Sequence, residues 1–333
     1  MDERKASILR AVVESYIETA QPVGSAHVAQ ASDVAVSSAT VRNEMAALER
    51  DGYLTQPHTS AGRIPTDKGY RFFVDQLTPP GTLEPVQTQQ VRRFFARAHG
   101  ELEQMLADTA RLLTGLTDYA AVVVRPAAEG AVVRSVQLVG LAPRVAIVVA
   151  VLANGVIEKR TVELAEDVGD ERLGAAGSHL AGSLIGRTLR DVAPPGPTGD
   201  ARTDAIARQV FDALVQFGPD EEIEHVFVGG ASRMAAAFDA VETVRSVLSI
   251  LEQQYVVVGL LRDVLDRGLS VAIGTEHGVQ PLAECSVVVA PYEIEGDDRG
   301  TIGLLGPTRM NYPQALAAVA VVSQRLGRHL TEG

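Results

Sequence analysis

Between Glu3 and Thr19 the apolar residues Ile8, Leu9, Val12, Val13, Tyr16 and Ile17 fall three and four positions apart, which places them on one side of an α-helix. Pro22 marks its end, because a proline ring disfavours helical backbone in the residue before it. A short second helix is expected from Ser25, a candidate N-cap, through SAHVAQA to the turn residues Ser32 and Asp33. The third, SSATVRNEMAALERDG, has Ser37 or Ser38 to accept the free N–H groups of its first turn. Val41, Met45 and Leu48 face inward there, and Gly52 closes the end. Tyr53-Leu54-Thr55 and Arg63-Ile64 then read as short strands around a polar tip, and Thr66 or Asp67 caps a helix ending near Leu77. Helices followed by such a hairpin form a winged helix-turn-helix.

TPPGTLEP follows as a Pro-rich linker, and Val86 to Leu116 reads as one long helix with Val91, Phe94, Ala98, Leu102, Met105, Leu112 and Leu116 near one stripe. That stripe serves either as core or as a dimer seam. From Ala120 the period shortens to two: AAVVV, VRSVQLVGL, RVAIVVAVLA and VIEKRTVEL read as a largely antiparallel sheet, with Asn154-Gly155 as a hairpin turn. Helical patterning returns over 170–189 and 204–217, HVFVGG is a strand, and Val241 to Arg267 reads as one helix closed by Gly268. LSVAIG, CSVVVAPYEI and TIGLLG are strands, with EGDD as a turn, and a last helix starts at Pro313. This order suggests a sheet domain interrupted by an insert, although a continuous α+β domain has the same order.

Charge sharpens the question of what the first unit binds. The 333-residue chain is long enough for two or three domains and carries a net charge of −12. Residues 1–78 hold eight Lys and Arg against ten Asp and Glu, a net of −2, so a general basic footprint for nucleic acid is absent. If the unit binds DNA, it must do so through a few placed cations, helix N-termini and hydroxyls. With Val41, Met45 and Leu48 inward, Ser38, Thr40, Arg42 and Asn43 face outward near the helix start: arginine pairs with guanine, asparagine with adenine, and hydroxyls serve phosphate or base. The tip HTSAGRIPT adds hydroxyls, His58 and Arg63, with Gly62 allowing close approach of the backbone. The same residues also fit an ordinary solvated hairpin, or a winged helix used for protein contacts.

Other chemistry is sparse. There is no G-x-x-x-x-G-K-[ST], G-x-S-x-G or H-E-x-x-H, and the single cysteine, Cys285, lies in an apolar run and is expected to be buried and inert. No enzyme activity, cofactor or metal is expected. With no N-terminal apolar signal region and no run of about 20 apolar residues, a cytoplasmic location is expected. Gly300, Gly303 and Gly306 read as strand and turn glycines rather than a phosphate loop, and Glu276-His277 as a solvated loop. In GPTRMNYP, Pro313 suits a first helical position with Asn311 or Tyr312 beside the cap, while Arg309 is a candidate for an anion or an interface carboxylate.

Two blocks resemble the heat-inducible transcription repressor family, HrcA. YIETAQPVGS and SSATVRNEMAALERDGYLTQPHTSAGRIPTDKGYRFFVDQL are similar to its winged-helix signature, and IGTEH and GTIGLLGPTRMNYP to its C-terminal signature. The resemblance implies an α+β, multidomain fold: a winged-helix DNA-binding domain (1–78), a linker and long helix (79–118), and a GAF-like mixed α/β domain in two parts (119–168 and 241–333) around an inserted dimerising domain (169–240). It also implies a homodimer on double-stranded DNA carrying an inverted-repeat operator of the CIRCE type, control of heat-shock genes of the chaperonin kind, release on heat stress, and a GroE-type chaperonin as partner. Carried over residue by residue, it implies DNA contacts by Ser37, Ser38, Thr40, Arg42 and Asn43, with His58, Thr59, Ser60 and Arg63 in the wing. One departure stands after HVFVGG, where Ala231-Ser232-Arg233-Met234 replaces an expected Asn-containing turn.

Overall fold

The computed structural model describes residues 1–31, 34, 36–58, 61–77, 82–98, 101–125, 131–215, 226–235, 238, 241–267, 270–294 and 299–332. Helix α1 (Glu3–Thr19) starts behind Asp2, whose carboxylate accepts from the Lys5 N–H, and stops at Ala20, which turns the chain at φ 54° before Pro22 is reached. Helix α2 (Ser25–Val28) has Gly24 rather than Ser25 at its N-cap; Ser25 is already the first helical residue, and its hydroxyl lies 3.3 Å from that of Ser38. Ser37 caps α3 (Ser38–Arg50) by accepting from the Thr40 N–H. Gly52, at φ 79°, ends it as expected: its N–H returns to Glu49 O and that of Tyr53 to Leu48 O, satisfying carbonyls that the helix end leaves open. The wing strands β1 (Leu54–Thr55) and β2 (Ile64–Pro65) pair antiparallel, and Val23 adds a bridge to Arg63. Thr66 caps α4 (Asp67–Asp75).

The expected helix from Val86 to Leu116 is two helices, α5 (Pro85–Phe95) and α6 (Leu102–Thr117). Its apolar stripe continues across the break, so periodicity does not reveal it; Gly100 is the one poor helix former in the interval. Leu83 is buried and Pro85 is already the first helical residue, so the linker ends sooner than its proline content implies.

The strands β3 (Ala120–Val124), β4 (Val133–Ala142), β5 (Val145–Leu152), β6 (Ile157–Glu163), β7 (Val226–Gly229), β8 (Val271–Ile273), β9 (Cys285–Glu293) and β10 (Arg299–Pro307) form two antiparallel sheets rather than one. A five-stranded sheet has the order β7-β3-β10-β9-β8, and a three-stranded sheet the order β4-β5-β6. The latter packs with α7 (Asp170–Leu184) and α8 (Ala201–Val215), so the chain leaves the larger sheet after β3 and returns at β7. Among the described residues β4, β5 and β6 have ladder partners only in one another, so in the sheet topology they group with α7 and α8 and not with β3. A short helix, α9 (Ala231–Ala235), occupies the departure from the family pattern.

Alternation along β3 divides the main core. Ala121 and Val123 join the cluster containing α6 and α12 (Tyr312–Glu332), whereas Ala120, Val122 and Val124 meet α10 (Val241–Glu252) and α11 (Gln254–Asp266). These last two helices replace the single helix expected over 241–267; Gln253 leaves helical backbone and the pair bends by 94°. Gly268 and the EGDD turn lie outside the described residues. The β10 glycines are recesses for neighbours: a Cβ on Gly300 would lie 2.1 Å from the Tyr292 ring, and one on Gly303 2.6 Å from Leu261. Cys285 is buried, which pushes its thiol up to about 12.

Candidate nucleic-acid interface and the domain junction

Helix α3 turns Val41, Met45 and Leu48 into the core, all at 0% exposure, and this fixes which residues face out. Ser37, Ala39, Arg42, Asn43 and Arg50 are exposed, with Ser38 and Thr40 half-buried. The first turn of α3 contains no acidic residue, so its N-terminal partial positive charge is undiminished. Three hydroxyls are already engaged there: Ser37 Oγ lies 3.0 Å from Thr40 Oγ1, and Ser38 reaches Ser25 across the helix-turn-helix. Arg42 makes no ion pair with a described residue. Ala39, which sequence reasoning passed over, is exposed one turn before Arg42 and Asn43 and offers a methyl of the kind that meets thymine.

Four of the unit's ten acidic residues are held in ion pairs with cations of the same unit. Glu44 pairs with Arg4 at 3.1 Å, Glu49 with Arg63 at 2.9 Å, Asp51 with Lys5 at 3.8 Å and Asp75 with Arg71 at 3.5 Å. A net charge of −2 thus coexists with a first turn of α3 that contains no acidic residue.

The wing differs from expectation in two respects. Arg63 is drawn back onto Glu49, with a side chain only 17% exposed, so its Nε braces α3 instead of reaching outward. Gly62 allows a close approach, but the partner is the chain's own Val23 backbone, 2.5 Å from where a Cβ would stand. His58 is exposed and its carbonyl accepts from the Ala61 N–H. Thr59 and Ser60 lie outside the described residues.

Helix α4 carries the winged unit onto the body. Arg71 donates from Nε to Glu276 Oε1 at 2.9 Å, from Nη2 to Glu276 Oε2, and from Nη2 to Val271 O at 2.8 Å. The hydrogen bond to Glu276 raises the guanidinium's pKa, outweighing the opposite effect of burial. Glu276 and His277 are therefore not a solvated loop; Glu276 lies in this fork, and His277 is buried with Nε2 donating to Leu282 O and Nδ1 accepting from Val279 N–H. Burial pushes that imidazole's pKa down, in keeping with a neutral ring. Tyr70 packs 5.8 Å from the Tyr312 ring, and burial raises both phenols. Asn311 Oδ1 accepts from Gln314 N–H at the start of α12, so GPTRMNYP is a helix entry, with Tyr312 held by Ser286 and Thr308.

Among the described residues no group of His, Cys, Asp and Glu is placed to hold a metal ion, and no single helix is long and apolar enough to cross a membrane.

A winged helix that offers hydroxyl, guanidinium and amide groups from its third helix, held on a larger α/β body, defines a winged-helix transcription regulator. Residues 103–316 match the family described as HrcA protein C terminal domain. The heat-inducible transcription repressor HrcA of Moorella thermoacetica is 38% identical, covering 100% of this chain and 98% of its own. That of a Nocardioides species is 39% identical, covering 100% and 99%. A solved structure described as a hypothetical protein at 2.2 Å resolution shares the fold, with a TM-score of 0.69, 24% identity and coverage of 100% and 99%. The chain belongs to the heat-inducible transcription repressor family, HrcA.

Proposed function

We propose that this repressor binds an inverted-repeat operator of the CIRCE type as a homodimer in the cytoplasm, silences heat-shock genes of the chaperonin kind, and is released on heat stress. The observation that carries the reading is the start of α3, whose first turn contains no acidic residue and where Ala39, Arg42 and Asn43 face out beside the Ser37 cap. With no basic field around it, one copy gains little from phosphate attraction, so two copies on matched half-sites supply the affinity. A GroE-type chaperonin as the partner that keeps the repressor active rests on the family resemblance.

The insert supplies a surface for the second copy. Ala146, Val148, Ala150 and Leu152 of β5 are buried, which leaves Val145, Ile147, Val149 and Val151 on the other face. Register places Ile147 beside Val139, and Val151 beside Ile157, both neighbours being exposed. Two such faces packed across a twofold axis form an isologous interface. Heating releases the operator by parting the dimer, with the α3 contacts unchanged.

Fluorescence anisotropy at fixed salt, with an inverted repeat selected by the full chain from a random duplex library, tests this. Scrambling one half-site lowers affinity at least about tenfold; equal affinity for the two duplexes overturns the proposal. In the same assay Arg42→Ala costs about 1–3 kcal/mol of specific binding. An unchanged ratio of specific to non-specific affinity would move Arg42 from base reading to phosphate contact.

A further inference from the structure

Three contacts join the winged unit to the five-stranded body on one side of α4, at positions 67, 70 and 71. Asp67 Oδ2 accepts from the Thr275 N–H at 3.2 Å and from Thr275 Oγ1 at 3.3 Å. Tyr70 packs against Tyr312. Arg71 forms its two-pronged pair with Glu276, which is itself fixed because Glu276 Oε2 accepts from the Ile273 N–H at 2.8 Å. Gly274 completes the fit: it stands at φ 55°, and a Cβ would lie 2.3 Å from the Asp67 carboxylate.

The chemistry of this junction suits alignment better than adhesion. The Arg71 and Glu276 side chains are 24% and 28% exposed, a setting in which solvent screens much of an ion pair's strength. Their planar, two-point geometry nevertheless restricts rotation as well as distance. Three separated contacts on one helix restrain its tilt, its roll and its position along the body. Since α3 and α4 share a core, the direction of α3 is restrained with them.

We propose that Asp67, Arg71 and Glu276 are positioning residues that set the operator half-site spacing the repressor accepts, by holding α3 at a fixed angle to the body. This rests on the dimeric reading above, since spacing has meaning only for two linked copies. None of the three belongs to the proposed DNA-reading surface of α3. Loosening the junction therefore leaves recognition of one half-site intact while relaxing the demand on distance and rotational phase between two.

The test uses the full chain, a single half-site duplex, the selected inverted repeat, and versions with the spacer changed by about 5 base pairs, half a helical turn. The wild-type protein loses about tenfold or more in affinity on that change. Glu276→Gln removes the charge while retaining an acceptor for Ile273 N–H, and Gly274→Ala wedges the junction without altering any charge. Both are expected to keep single half-site affinity within about twofold and to discriminate spacing by less than about threefold. Folded variants, judged by far-ultraviolet circular dichroism and by that half-site affinity, that keep the wild-type spacing profile would overturn the inference and leave the dimeric reading standing. A wild-type protein that binds the inverted repeat no more tightly than one half-site would overturn both, and the wild-type measurements alone would show it.

Discussion

Arg125→Met lowers the free energy of unfolding by about 3–5 kcal/mol, the range for removing one partner of a buried ion pair. Arg125 follows β3 directly, and its Nη2 lies 3.2 Å from Glu158 Oε1 of β6, with the two side chains only 12% and 8% exposed. The pair joins the five-stranded sheet to the insert, and the variant leaves the Glu158 carboxylate inside without that partner. Arg160, 3.4 Å from the other carboxylate oxygen, offsets part of the loss, so the lower end of the range is expected. Because the chain has no tryptophan, urea unfolding is followed by far-ultraviolet circular dichroism. The double variant Arg125→Met, Glu158→Leu recovers most of the loss, since an apolar pair of similar volume avoids the desolvation penalty. A loss below about 1 kcal/mol in the single variant would show that the pair is not the strut described.

Gly300→Ala is expected to cost about 3 kcal/mol. Gly300 is directly opposite Tyr292 in the β9–β10 ladder, and the added methyl would stand 2.1 Å from the ring carbon that bears the hydroxyl. Tyr292 is 1% exposed and donates its hydroxyl to Val124 O at 2.9 Å, so it has no free direction in which to retreat. Overpacking and the loss of that hydrogen bond act together. Adding Tyr292→Ala to Gly300→Ala tests the cause: relative to the Tyr292→Ala parent, the glycine change becomes nearly neutral. An equally large cost in that background would trace the effect to backbone rather than ring.

Residues that act on their chain neighbours were legible in the sequence. Ser37 and Thr66 accept hydrogen bonds within three positions of themselves, and Gly52 turns the chain where it stands, so the winged helix follows from local chemistry. The interruptions in α5–α6 and α10–α11 were not legible, because a stripe of apolar residues does not record a change in helix direction. Sheet membership failed for a related reason: AAVVV precedes VRSVQLVGL closely in sequence, yet β3 pairs with β7 and β10 from far along the chain. At the proposed interface the outward set on α3 could be read once its inward set was known. The fate of Arg63 depended on Glu49 fourteen residues away, and that of Glu276 on Arg71, 205 residues away. A cation beside a polar tip looks the same on paper whether it points to solvent or to a carboxylate of its own fold.

The ends of the insert have a consequence for how such an architecture is acquired. Val124, the last residue of β3, lies directly opposite Val226, the first of β7, so the chain departs and returns at adjacent points on one ladder. To the five-stranded sheet, the intervening stretch of roughly a hundred residues is an overgrown hairpin loop. Closing a loop costs only about 0.6 kcal/mol more for each doubling of its length. A turn of a few residues can thus be exchanged for a unit with its own sheet and helices, at little thermodynamic expense to the sheet that bears it.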